Sequence, residues 1–428
     1  MAHADVGRVV EAVWRMESAR IVGALARMLR ELGQAEELAQ DAMLEALERW
    51  PRDGIPDHPG AWLMQVAKRR ALDHLRRLAL HAGKQDAIAW EADALLHDRS
   101  LQRRPDELAE LAQERASAID DDVLRLMFVA CHPVLSPEAR AALTLKVVGG
   151  LSSAEIAHAF LMPEATMAQR IVRAKRTLSE ARVPFAVPQG EERRPRLASV
   201  LQVLYLIYNE GYTASAGADW LRPALCREAL RLGRVLAELM PQEGEVHGLV
   251  ALMEIQSSRE RARTGPGGEP VLLLEQDRAR WDRLLIRRGL AALARAGRHG
   301  SLGPYALQAA IAACHAVAPA PDATDWVRIA ALYDALAQLL PSPVVELNRA
   351  VALGMAYGPA EGLALADRLL DEPALRNYHL LPSVRGDLLA KLGRHGEARA
   401  EFERAAALTR NRREATLLLA RAAACAGA

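Results

Sequence analysis

The sequence predicts an all-α protein, and three observations carry that expectation. Ala, Leu, Arg and Glu dominate while aromatic residues make up only 4%, a composition that favours helices. Runs of β-branched residues, which strands would use, are nearly absent. Where the chain shows a pattern, apolar residues recur at the i, i+3, i+4 and i+7 spacing of one helix face.

With 428 residues and 51% hydrophobic content the chain can build about two to four packed domains. A formal net charge of only +1 excludes a generic polyanion-coating protein, so any nucleic-acid contact must come from local basic faces. The N-terminal "MAHADVGRVVEAVWRMESAR" is interrupted by charge every few residues and lacks the apolar core of a signal peptide. Nowhere does an apolar run reach the ~18 residues that span a bilayer, so a cytoplasmic protein with no membrane partner is expected. Cys131, Cys226, Cys314 and Cys425 are widely spaced without a CxxC pair. That argues for buried free thiols over a zinc site or disulfide framework.

Along the chain, "GQAEELAQDAMLEALERW" (33–50) reads as an amphipathic helix with Leu38, Met43, Leu44 and Leu47 inside and its acids outside. The breaker-rich "PRDGIPDHPG" follows as a loop. "AWLMQVAKRRALDHLRR" (61–77) then sets Lys68, Arg69, Arg70, Arg76 and Arg77 against a single acid, Asp73. Helical spacing gives it an inner stripe of Ala67, Ala71, Leu75 and Leu78 and an outer one of Arg69, Asp73, Arg76 and Arg77. Guanidinium groups on a rigid stripe can track a phosphate backbone, because each planar fork donates paired hydrogen bonds without losing charge. The loop from Pro51 to Pro59, flanked by Trp50 and Trp62, offers exposed backbone and a stacking surface, unless both tryptophans are simply core.

A second basic segment, "GGLSSAEIAHAFLMPEATMAQRIVRAKRTL" (149–178), carries its own punctuation. Ser152 and Glu155 form a capping box, Leu161 and Met162 fall in a turn, and Pro163 opens the next helix. There Met167, Ile171, Ala174 and Leu178 make the buried stripe. Thr166, Arg170, Arg173 and Thr177 lie opposite, with Gln169 and Arg176 nearby. This is the layout of a helix-turn-helix whose second helix enters the major groove. Residues Thr166 to Arg173 would meet base edges while Lys175 and Arg176 hold phosphate. A hairpin used only for packing is the alternative. "CHP" at Cys131, His132 and Pro133 has no orienting acid and reads as a helix terminus with a buried thiol.

Beyond the Pro- and charge-rich bridge "VPFAVPQGEERRPR", an apolar helix gives way to the small-residue loop of "YNEGYTASAG". Farther on, Gly358 and Gly393 stand 35 residues apart, near the ~34-residue tetratricopeptide period, with Ala398, Phe402 and Ala405 in matching positions. Arg385 and Asp367 depart from that pattern. "TGPGGEP" (264–270) lacks the GK[ST] ending of a phosphate-binding loop and reads as a break between helical subdomains.

The quoted segments resemble bacterial RNA polymerase sigma factors of the extracytoplasmic-function type. "AEELAQDAMLEALERW" is similar to the region-two helix that docks on polymerase, which places Gln40, Asp41 and Glu45 at that contact. "PGAWLMQVAKRRALDHLRR" is similar to the segment that reads the −10 element, which implicates Trp62, Lys68, Arg69, Asp73, Arg76 and Arg77. The family usually has Asn where this chain has Arg69, so base preference there does not carry over. "LSSAEIAHAFLMPEATMAQRIVRAKRTL" resembles region four, which reads the −35 element, and implies a DNA-facing set of Thr166, Gln169, Arg170, Arg173, Lys175 and Arg176. The resemblance implies region two over 1–90, a linker over 91–118, region four over 119–184, and a tetratricopeptide-like helical extension over 195–428. It implies core RNA polymerase and promoter DNA as partners, no cofactor, no metal and no catalysed reaction. The extension would regulate or stabilise the sigma part, with intramolecular contact between them as one route. A helix-turn-helix activator with a repeat-built sensor is the competing reading.

Overall fold

A computed structural model describes residues 2–82, 122–160, 162–213, 221–300, 302–409 and 411–426. The expected linker over 91–118 lies outside them, as does Leu161 of the expected turn. Regular structure among the described residues is helical, apart from isolated bridge positions such as the pair Thr264 and Pro270. The chain divides into two compact units, Met1–Val203 and Leu204–Ala428.

The first unit begins with α1 (Ala2–Leu29), α2 (Leu32–Asp53) and α3 (Pro59–Ala82). Glu31 caps α2 by accepting from the backbone N–H groups of Gly33 and Gln34, donors with no intrahelical partner. Ala35, Ala39, Ala42 and Ala46 of α2 are completely buried. This stripe of small side chains lets the helices approach closely, and it decides which face of α2 turns inward. Leu44 and Leu47, expected inside, are 56% and 37% exposed, while the expected outer acids Glu36 and Glu45 are buried. Leu78 of α3, also expected inside, is exposed.

The α2 helix runs on through Pro51, so the loop shortens from the expected Pro51–Pro59 to residues 54–58. Proline removes only the bond to the Leu47 carbonyl, on the exposed side of the last turn. The Gly54 N–H then closes on Trp50 O at 3.1 Å. Gly54 turns the chain at φ 88°, a conformation that favours glycine.

A helix over 122–130 (α4), α5 (Pro137–Val147), α6 (Ser153–Ala159) and α7 (Glu164–Glu180) follow. The capping box is reciprocal: Ser152 Oγ accepts from Glu155 N at 3.1 Å, and Glu155 Oε2 from Ser152 N at 2.8 Å. Met162 N–H donates to Ala157 O at 2.9 Å and closes the turn. Met167, Ile171, Ala174 and Leu178 are buried as the spacing predicts. Cys131 ends α4 with its thiol 3.3 Å from Thr144 Oγ1, and burial pushes that thiol up to about 11. It is a packed thiol, inert at neutral pH.

Helix α8 (Arg193–Tyr212) starts inside this first unit. Arg196 Nη2 donates to Phe128 O at 2.9 Å and Ser199 Oγ to Cys131 O at 2.6 Å, satisfying carbonyls at the end of α4. Residues 196–203 therefore complete the region that carries the helix-turn-helix.

The second unit continues α8 and adds α9 (Pro223–Leu239), α10 (Gly244–Ser257), α11 (Arg283–Arg298), α12 (Pro304–Val317), α13 (Trp326–Leu339), α14 (Pro343–Tyr357), α15 (Pro359–Arg368), α16 (Leu380–Lys391), α17 (His395–Leu408) and α18 (Arg412–Ala424). The "YNEGY" residues find roles as clamps. Tyr208 OH donates to Met253 O at 3.1 Å, Tyr212 OH to Gln256 Oε1 at 2.7 Å, and the Arg263 guanidinium lies 3.5 Å over the Tyr212 ring. Glu210 pairs with Arg222.

Gly358 and Gly393, with φ of 112° and 74°, each lead into the second helix of a hairpin. Phe402 is buried among Ala350, Leu388, Ala398 and Leu418. The two departures from the repeat pattern explain each other: Arg385 Nε lies 2.9 Å from Asp367 Oδ1 and also pairs with Glu401, tying α15, α16 and α17 by charge. The "TGPGGEP" loop is not a break. Arg413 Nη1 of α18 donates to Gly267 O at 2.8 Å and fastens it within the unit.

Candidate polymerase and nucleic-acid interfaces

On the α2/α3 surface the geometry is organised by Glu45. Its carboxylate takes Arg70 Nη2 at 2.8 Å, Arg49 Nη2 at 3.1 Å and Arg69 Nη2 at 3.2 Å, while Arg70 Nη1 also approaches Asp41 at 3.5 Å. Burial would raise its pKa, but the Arg70 hydrogen bond and the charges of Arg49, Arg70 and Arg69 outweigh that and hold it below the usual carboxylate range. Glu45, expected at the polymerase contact, thus serves as an internal anchor. Gln40 donates its amide to Glu36 Oε1. What α2 presents outward is Leu44, Leu47 and Glu48. Two exposed leucines one turn apart, beside a packed alanine stripe, form an apolar patch that sequence reasoning placed in the core.

The same ion pairs thin the basic stripe of α3. An open polar depression of about 370 Å³ is lined by Glu45, Glu48, Arg49, Arg69, Arg70, Asp73 and Arg77, so this end carries mixed charge. The positive surplus lies toward Arg76 and Arg77, both exposed. Arg76 makes only a loose 3.4 Å pair with Asp73 between two half-exposed side chains, a contact of small energy. Trp50 is 2% exposed and therefore core. It meets Trp62 edge-on with ring centroids 5.5 Å apart. Trp62 is half-buried beside the loop over 54–58, in which Gly54, Ile55, Asp57 and His58 are exposed. One tryptophan backs the other, and only Trp62 is placed to stack on a ligand.

The second face is α7. Thr166, Gln169, Arg173 and Arg176 are exposed and Arg170 is half-buried, all opposite the packed stripe. Arg176 is steadied by Glu180 at 2.6 Å. Arg173 has no ion pair among the described residues, so its fork is open to solvent. Lys175 differs from the expectation. Its Nζ lies 2.6 Å from Glu36 Oε2, with the lysine side chain 19% exposed. In this arrangement it is withheld from phosphate, because Glu36, far away in sequence, holds it.

Among the described residues no helix is long and apolar enough to cross a membrane. The Sigma-70 region 2 family matches residues 14–80, and the Sigma-70, region 4 family matches residues 125–178. A family of unknown function, DUF6596, matches residues 196–297. An uncharacterized protein of Rhizobium meliloti is 45% identical over 93% of this chain and 91% of its own length. The ECF RNA polymerase sigma factor SigK of Mycobacterium ulcerans is 30% identical over 37% of this chain and 78% of its own length. The probable ECF RNA polymerase sigma factor SigI of Mycobacterium tuberculosis is 30% identical over 43% of this chain and 59% of its own length. No solved structure matches the chain.

Proposed function

The chain belongs to the extracytoplasmic-function family of RNA polymerase sigma factors, and we propose how its surfaces divide the work of that family. As a sigma factor it binds core RNA polymerase and directs promoter recognition and transcription initiation, catalysing no reaction itself. In our reading α2 docks on polymerase through Leu44 and Leu47, with Asp41 and Glu48 at the rim. Trp62 and the loop over 54–58 hold a base of the opened −10 strand, and Arg76 and Arg77 hold its phosphates. Helix α7 reads the −35 element through Thr166, Gln169, Arg170 and Arg173. The work is done in the cytoplasm, where polymerase is.

The observation that carries this reading is the pairing of two independent features on one compact unit. One is a capped helix-turn-helix with an open arginine face. The other is a tryptophan-backed loop beside a basic helix end. A packing hairpin needs neither.

For the second unit the reading is a tetratricopeptide-like array that stabilises or regulates the sigma part. Helical hairpins led by left-handed glycines 35 residues apart support it, and stacked hairpins form extended surfaces for partners. A truncation test must keep α8, since Arg196 and Ser199 complete the first unit.

The test is footprinting of the polymerase reconstituted with the full chain on a promoter it selects. Protection at −35 and permanganate-reactive thymines at −10 are expected. Replacing both Arg76 and Arg77 by Ala removes the −10 reactivity, lowers the salt dependence of binding by about two phosphate contacts and leaves −35 protection in place. Unchanged −10 opening in that variant contradicts the assignment.

A further inference from the structure

Two guanidinium groups of the second unit, those of Arg259 and Arg278, are drawn inward without an ion-pair partner among the described residues. Arg278, 9% exposed, stands just before α11 with its guanidinium 4.7 Å from the centre of the Trp281 ring. Its Nη1 donates to His315 O at 2.5 Å and to Ala318 O at 2.8 Å, carbonyls at the C-terminal end of α12. The other edge of the same group, Nε and Nη2, is buried and has no hydrogen-bond partner among the described residues. Arg259 lies 5.9 Å from the Trp281 ring, donates through Nη2 to Tyr212 OH at 2.6 Å, and leaves its own buried Nε unpartnered in the same way.

The acids nearby are committed elsewhere. Asp277 accepts from Ala279 N, and Asp282 accepts from Leu284 N and Leu285 N. Asp322 acts on Arg278 at a distance without pairing. Burial, reinforced by the charges of Arg259 and Arg278, pushes the pKa of His315 down to about 4. That imidazole is therefore neutral at neutral pH, and its buried Nδ1 is also without a partner among the described residues.

We propose that Arg278 and Arg259 form a binding site for a small oxyanion, the phosphate or carboxylate group of a soluble metabolite, held bidentate on the Nε–Nη2 edge of Arg278. The inference concerns the second unit alone and does not depend on the sigma-factor reading.

The unused edge is the one whose two N–H groups point the same way, the fork that matches two oxygens of a carboxylate or phosphate. The two carbonyls on Nη1 and the face of Trp281 fix the plane of that fork before a ligand arrives, so little side-chain freedom is lost on binding. Water satisfies the hydrogen bonds of a buried guanidinium but not its charge, and arginine does not shed that charge by deprotonation. An oxyanion answers both demands. The site lies one layer deep: Asp277, Ala279 and Arg280, which flank Arg278 in sequence, are exposed, as are Asp322 and Ala323. A small ion reaches that depth by local opening of the surface segments, which favours it over a macromolecular partner.

Calorimetric titration of the full chain at constant ionic strength tests this, with inorganic phosphate and acetate as separate probes and chloride as the reference. One saturable site is expected, with a dissociation constant of about 1 mM or below. Saturation by phosphate alone assigns a phosphate ligand, by acetate alone a carboxylate, and by both the shared fork. Arg278→Lys keeps the charge and loses the fork, so it should weaken binding about tenfold or more. That residue also holds two carbonyls, and the variant can misfold. Arg259→Gln, at a half-buried position, leaves Arg278 in place, removes the second charge and should weaken binding about threefold or more. No saturable binding of either probe beyond the chloride reference overturns the site, as does undiminished affinity in either folded variant.

Discussion

Full-length chain carrying Leu44→Asp and Leu47→Asp loses core polymerase binding, with affinity reduced about a hundredfold or more, while its melting temperature stays close to wild type. Both leucines stand on the outer face of α2, 56% and 37% exposed, and α2 is fastened from behind by its alanine stripe and by the Glu45 ion pairs. Substituting them leaves internal packing intact, and surface changes of that kind alter stability by about 0.5 kcal/mol or less. Burying a leucine in an interface contributes about 1.5–3 kcal/mol, so losing two and bringing in two carboxylates removes several kcal/mol of docking energy. Binding measured by fluorescence anisotropy on labelled chain, with thermal melting alongside, checks it. Retained affinity would move the docking surface away from this face.

Arg173→Ala lowers affinity for the −35 element about ten- to a hundredfold and relaxes sequence preference at one base pair. Arg173 is exposed on the face of α7 opposite its packed stripe, without an acid to hold it among the described residues, and a bidentate arginine–guanine contact contributes about 1–3 kcal/mol of discrimination. Arg176→Ala provides the contrast. That residue lies past the stretch proposed to read bases and pairs with Glu180, so its loss should weaken all sequences alike. Competition binding with a panel of single-base −35 variants separates the two. Uniform weakening by Arg173→Ala would assign it to phosphate instead.

What was legible in the sequence is what neighbours in sequence decide. The capping box, the turn at Met162 and the buried stripe of α7 involve residues within a few positions of each other, and all are found where the spacing puts them. The sidedness of α2 was not legible from hydrophobicity alone. A hydrophobicity ranking favours Leu44 and Leu47 as core, whereas the close approach of α1 selects Ala35, Ala39, Ala42 and Ala46. The completely buried alanines share one helical stripe, and that regularity was the available signal. Lys175 escaped for a different reason: its partner Glu36 stands 139 positions away, beyond any local pattern. The same holds for Arg385, whose fit depends on Asp367 and Glu401 from two other helices. Charge that looks free in a sequence is free only if no distant element supplies its counter-charge.

The central claim is that this one chain supplies both promoter-reading surfaces to polymerase. The most direct measurement is run-off transcription with purified core polymerase, a promoter selected by the chain, and no other sigma factor. The account predicts a transcript with one defined start site that depends on the full chain. A defined transcript appearing only after another sigma factor is added would contradict it and leave a helix-turn-helix activator in its place.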